Sequence, residues 1–105
     1  MAAAPTQFIY VLSPVPLLCD ASNWTDHEEE IVERHFARLQ ELLEKGMLVL
    51  AGKTAGLDEK TFGIVILEVD SQEKAAAIMS ADPAVAEGIM TAELYPYRVA
   101  LMRKR

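Results

Sequence analysis

Cysteine is nearly missing from this chain: Cys19 stands alone among 105 residues, so no intrachain disulfide can form and no thiolate cluster can hold a metal. Its neighbours Leu18 and Asp20 do nothing to favour a thiolate, and the thiol is expected to be passive. Basic residues are scarce as well, ten Lys and Arg against sixteen Asp and Glu, for a net charge of −6. The phosphate attraction that dominates nucleic-acid affinity is therefore absent over the body of the chain, and nucleic acid is not an expected partner. Only Arg103, Lys104 and Arg105 cluster, as a solvated terminus. Nowhere do eighteen apolar residues follow one another, and the stretch from Met1 to Thr6 has neither the basic nor the apolar part of a secretory signal. No membrane partner is expected, and a cytoplasmic location is. Also missing are a Gly-rich phosphate loop, a nucleophile elbow and the H-x-x-x-H and H-E-x-x-H spacings of metal sites. Nucleotide, serine-hydrolase and metal chemistry lose their support, and any reaction here is expected to be cofactor-free.

What remains is ordinary globular material, 51% hydrophobic and 25% charged, which argues against disorder and fits one domain. The expected organisation is a disordered N-terminal tail over 1–6, a domain over 7–101 and a basic C-terminal tail over 102–105.

Gln7 to Leu12 is a run of aromatic and branched residues that predicts a first strand, stopped by Ser13-Pro14-Val15-Pro16. A loop of about a dozen residues follows, long enough to suit a binding or lid role or a plain surface path. Thr25 and Glu28 have the spacing of a capping box, and a helix is expected from there to Lys45, ended by Gly46 with Met47 folding back on Leu42. Met47 to Ala51 and Thr61 to Val69 read as strands two and three. Asp70 is placed to cap a second helix that Asp82-Pro83 interrupts, a short helical turn runs to Gly88, and Thr91 to Leu101 reads as the last strand. The order βαββαβ predicts an α+β fold, the ferredoxin-like plait: a four-stranded antiparallel sheet with its helices on one face.

A sheet covered on one side should alternate apolar with polar residues. These strands do not: Phe8, Tyr10 and Leu12 oppose Ile9 and Val11, and Ile64 and Ile66 oppose Val65, Leu67 and Val69. Both faces are apolar, and a second copy packed sheet to sheet, an isologous homodimer, is the economical cover.

One residue of the first helix breaks its pattern. Val32, Phe36, Leu39 and Leu43 form one stripe, Ile31 and Leu42 widen it, and His35 falls between the two groups. An imidazole there needs a partner, since burying it unpaired costs about 1–3 kcal/mol. A backbone carbonyl would make it a satisfied core histidine; a carboxylate would make it a candidate general base. Asp82 is the candidate partner. Taking both helices to leave the ends of parallel central strands and run the same way, His35 and Asp82 lie roughly 14 Å and roughly 16 Å along them, which puts them level. An Asp before Pro is also a common N-cap, a role that needs no catalysis. Lys53, just after strand two, is placed either to attract an anionic substrate or to stand in solvent as a loop lysine.

Several stretches in order carry a resemblance: Arg34-His35-Phe36, the run Leu42-Leu43-Glu44-Lys45-Gly46-Met47-Leu48-Val49-Leu50-Ala51-Gly52, then Phe62-Gly63-Ile64-Val65-Ile66, and Asp82-Pro83-Ala84-Val85-Ala86-Glu87-Gly88-Ile89 leading to Tyr95-Pro96-Tyr97. Together they resemble the YCII-related (YciI-like) family over nearly the whole chain after Gln7. The resemblance implies a dimeric α+β barrel of plaits, and an active-site pair at the positions of His35 and Asp82. Lys53 departs from it, standing where many relatives carry proline. The function implied is a small-molecule enzyme performing proton abstraction, elimination or isomerisation, on a lactone-type compound or a halogenated organic acid. A small-ligand binding or regulatory dimer without turnover is the alternative, and a purely structural dimer would leave His35 unexplained.

Overall fold

The elements start where side chains supply the hydrogen bonds that a helix or strand end leaves open. In the computed structural model, which describes residues 5–104, the chain runs through β1 (Gln7–Pro14), α1 (Asp26–Glu44), β2 (Leu48–Lys53), β3 (Gly63–Glu68), α2 (Gln72–Ala81), α3 (Pro83–Ala86) and β4 (Met90–Pro96). The tails expected over 1–6 and 102–105 fall partly outside the described residues, at 1–4 and 105. The sheet order is β2-β3-β1-β4 with every neighbouring pair antiparallel. This is the expected βαββαβ plait, and α3 is the short helical turn expected after Asp82.

At the start of α1 the Thr25 hydroxyl accepts from the His27 N–H, and the Glu28 carboxylate reaches back to the Thr25 N–H at 2.8 Å. At its end the Met47 N–H bonds to the Leu42 carbonyl and the Gly46 N–H to that of Leu43, with Gly46 at φ 77°. That is the Schellman closure expected there, and it needs a residue free of the Cβ clash at positive φ. Ser71, not Asp70, caps α2: its hydroxyl accepts from the Lys74 N–H at 3.1 Å.

The strand limits shift at four places. β1 continues to Pro14, where β4 is the strand still alongside it; a missing N–H is tolerated where one neighbour has gone. β2 runs later than expected, β3 is shorter at both ends, and β4 ends at Pro96 instead of Leu101. Beyond it the Tyr97 and Val99 N–H groups bond to the backbone and side chain of Gln7. The loop after β1 is folded into two 3-10 turns, Pro16–Cys19 and Ala21–Asn23. Leu18 buries there with Ile31, Ala84 and Ile89, and the Trp24 indole N–H donates to the Leu18 carbonyl at 2.8 Å.

Two expectations about the helix layer change. β1 and β3 are antiparallel, so α1 and α2 set out from opposite ends of the sheet and run in opposite directions. His35 and Asp82 still meet, because their rises of roughly 14 and 16 Å together match the length of a layer lying over a strand of roughly 26 Å. Equality of the two rises is irrelevant in this topology. Second, the buried side of α1 follows Ile31, Leu39 and Leu42, while Phe36 is 60% and Leu43 56% exposed. The expected stripe is thus rotated away from the core, and His35 sits closer to the middle of the buried side than its neighbours in sequence suggested.

On the sheet, Phe8, Tyr10 and Leu12 are buried beneath the helices with Val65 and Leu67. Cross-strand register puts Ile9, Val11, Ile64, Ile66, Leu50 and Tyr95 on the opposite, helix-free face. Leu50 and Tyr95 are exposed there.

Candidate functional site

Three elements bring their polar groups to one point under α1. His35 comes from the buried side of that helix, Asp82 from the junction of α2 and α3, and Tyr10 from the middle of β1. His35 Nδ1 lies 2.6 Å from Asp82 Oδ1, and the Tyr10 hydroxyl donates to Asp82 Oδ2 at 2.7 Å. Asp82 Oδ1 also accepts from the Ala84 N–H at 3.0 Å, so the carboxylate caps α3 and holds the imidazole at once. The two roles weighed for Asp82 are not alternatives.

The arrangement fixes the imidazole's protons. A carboxylate that already accepts from Tyr10 and Ala84 acts as acceptor toward the ring too, so Nδ1 carries hydrogen and donates. Asp82 is 1% exposed, and such a buried group is held in place only with its donors supplied. In the neutral ring Nε2 then keeps its lone pair. Among the described residues it has no hydrogen-bond partner, yet no buried polar side-chain atom is unpaired. Nε2 is therefore open to the space beside it.

His35 also lines a cavity of about 330 Å³, at the lower end of the range for small-molecule sites. His35 forms part of its wall together with Val32, Phe36 and Leu39 of α1, Trp24 from the loop after β1, and Leu57 and Phe62 from the β2–β3 connection. The loop after β1 thus supplies a cavity wall, and the exposed Phe36 is accounted for. Lys53 also lines the cavity, but its ammonium donates to the Thr54 and Gly56 carbonyls at 2.9 and 3.2 Å. It is tied to its own loop. His27 lies in the first turn of α1, away from this site, and among the described residues no three His, Cys, Asp or Glu side chains gather as metal ligands.

Tyr10 is the member that sequence reasoning missed. The signal was available: a hydroxyl on a strand face otherwise filled by Phe8 and Leu12 must find an acceptor when buried. Burial pushes its ionisation well above the usual tyrosine range; the Asp82 charge and the hydrogen bond to it act the same way, and Arg38 opposes them. Tyr10 stays a donor, which fixes Oδ2 and leaves Oδ1 to the imidazole. On the outer side, Arg34 pairs with Glu30 of its own helix and with Glu87, which follows α3. This exposed bridge lies one residue from His35 and ties α1 to the turn that carries Asp82.

Residues 15–98 match the family model of the YCII-related domain. A search of the curated proteins gives no match. Among solved structures, the chain is similar to 5-chloro-2-hydroxyhydroquinone dehydrochlorinase from Burkholderia phenoliruptrix, solved in complex with 2,5-dihydroxybenzoquinone. The TM-score is 0.66 at 19% identity, covering 88% of this chain and 93% of that one; at that identity the likeness is one of fold. Among the described residues, no helix is long and apolar enough to cross a membrane.

Proposed function

The chain belongs to the YCII-related family, and we propose that it is a cofactor-free small-molecule enzyme in which His35 takes a proton from its substrate. The observation that carries this is the split use of one ring: Nδ1 is held by Asp82, Nε2 has no partner among the described residues, and the ring lines an apolar cavity. A base so oriented accepts a proton from a C–H or O–H, and Asp82 offsets the charge of the imidazolium that forms. The electron pair left on carbon passes into a neighbouring carbonyl, and return of the proton at another carbon is an isomerisation. Alternatively the pair forms a double bond as an adjacent substituent such as chloride leaves with its own pair, which is an elimination. Lactone-type and halogenated compounds allow these steps, and the fold is shared with a dehydrochlorinase. Lys53 contacts the substrate from the cavity wall with its side-chain stem.

The working unit is a homodimer closed through the helix-free sheet face, supported by the apolar Ile9, Val11, Ile64 and Leu50 gathered there. Light scattering on the full chain at micromolar concentration tests it; a monomer contradicts it.

Turnover is tested by incubating the protein with lactones and halogenated enones, following halide release and ring absorbance, beside His35→Gln as control. Wild-type turnover lost in the variant supports the enzyme. The nearly all-apolar wall favours a second reading, a ligand-binding module, and ligands that bind without any turnover would establish that one instead.

A further inference from the structure

We propose that the cavity beside His35 selects a neutral, largely apolar ring compound and rejects its carboxylate counterparts. The inference rests on the site of the proposed function but concerns recognition, so it holds or fails independently of turnover.

Four of the lining side chains carry N–H or O–H groups: Trp24, His35, Lys53 and Thr61; the Trp24 indole N–H donates to the Leu18 carbonyl. The Lys53 ammonium is held by the Thr54 and Gly56 carbonyls. The Thr61 hydroxyl accepts from the Asp58 N–H at 2.9 Å and donates to the Gly56 carbonyl at 3.4 Å. His35 Nδ1 is held by Asp82. Among the described residues, the cavity therefore offers a ligand one polar side-chain atom with no hydrogen bond in the fold, Nε2, and in the neutral ring that atom is an acceptor.

The consequences for charge follow directly. A carboxylate brought to Nε2 sets acceptor against acceptor, so it must bring a proton with it, and the buried Asp82 charge stands directly behind the ring. Among the described residues the one cation lining the wall, Lys53, is held by two carbonyls of its own loop, and an ion left unpaired in an apolar site loses several kcal/mol of hydration. A neutral molecule with one weakly acidic hydrogen meets neither obstacle: it donates that hydrogen to Nε2 and buries the rest. Trp24, Phe36 and Phe62 supply aromatic surface to cover it. A volume of about 330 Å³ suits a single substituted ring, given that an engineered cavity of about 150 Å³ holds benzene. This narrows the substrates of the proposed reaction to lactones, enones and halogenated phenol-like rings, and removes organic acids from them.

Phenol and benzoate are a matched pair of probes, one ring differing in charge. Titration calorimetry on the full chain is expected to show phenol binding at least about tenfold tighter than benzoate. Phenol is also expected to move the 15N signal of His35 Nε2 and leave Nδ1 in place. Tighter binding of benzoate, lost in Lys53→Gln, overturns the proposal by showing that the ammonium turns inward to take anions. Failure of phenol to bind at about 10 mM overturns it as well, since that corresponds to almost no recognition. Phenol selectivity without turnover of any neutral ring compound would sink the enzymatic proposal and leave this one standing.

Discussion

Asp82→Asn separates the two ways in which the carboxylate can serve His35, by charge and by choice of tautomer. Asp82 Oδ1 receives both His35 Nδ1 and the Ala84 N–H, and Oδ2 receives the Tyr10 hydroxyl. An amide with its oxygen on the Oδ1 side keeps the first two bonds, and its nitrogen donates to the Tyr10 oxygen. The opposite setting would aim the amide N–H groups at the Ala84 N–H, at a position only 1% exposed where no water relieves the clash. The cap of α3 therefore pins the amide, and through it the Nδ1–H tautomer. What the ring loses in the variant is charge, while the Tyr10 O–H loses its acceptor. Hydrogen bonds to charged groups contribute about 1.5–3 kcal/mol and neutral ones about 0.5–1.5. The imidazolium formed during proton abstraction is then destabilised by about 1–2 kcal/mol, and the rate falls about five- to thirtyfold. An inverted tautomer would cost about 10⁴-fold. 15N NMR of the ring decides between them without any substrate: Nδ1 is expected to remain the protonated nitrogen in Asp82→Asn. Exchanged signals for the two nitrogens, or a rate loss near about 10⁴-fold, would refute the pinning.

His35→Leu is expected to destabilise the chain in urea titrations. Leucine gains about 1.5–3 kcal/mol of burial, but stranding a buried carboxylate costs about 3–5 kcal/mol, a net loss of about 2; adding Asp82→Asn to that variant should recover most of it. Tyr10→Phe takes a donor from the buried Oδ2 and should lower stability by about 1–3 kcal/mol. The same variant should flatten the alkaline limb. Burial first, then Asp82, raises the Tyr10 ionisation in the folded chain, so above the unfolded value near about 10 the unfolded state releases a proton that the native state keeps. Wild-type stability is thus full below about pH 10 and declines above it, and denaturant titrations on either side of that point should show a smaller decline in Tyr10→Phe. Gly46→Ala, at φ 77°, should lower the melting temperature through a loss of about 1 kcal/mol.

The fold was legible because its signals are local. Thr25 with Glu28, Gly46 with Met47, and the aromatic and branched run from Gln7 to Leu12 each state one element, and the order of elements leaves few topologies. His35 was legible for the opposite reason, as the residue that contradicts its helix, and Asp82 as the carboxylate within reach. Their meeting was expected on a mistaken geometry, equal rises along parallel helices, while antiparallel helices bring them together by rises that add. The direction in which α1 faces could not be taken from its apolar arc, since Phe36 and Leu43 continue that arc onto exposed surface. Tyr10 was counted as core because a phenol ring fills a buried strand position as phenylalanine does, and only the acceptor across the layer reveals its second use. The cavity was hidden because its walls come from separate segments, with Trp24, Phe36 and Phe62 converging through tertiary packing.

Deuterium exchange into carbon tests most directly whether His35 Nε2 acts as a base. Neutral lactones and cyclic enones with an acidic C–H are incubated with the full chain in D₂O and followed by proton NMR, beside His35→Gln at equal concentration. Wild-type protein is expected to wash deuterium into one carbon position of a compound that binds, and the variant to slow this by about 10²–10⁴-fold while melting cooperatively. Equal exchange by both proteins, or tight binding of these compounds with no exchange above the buffer rate, would contradict the assignment of His35 as the base.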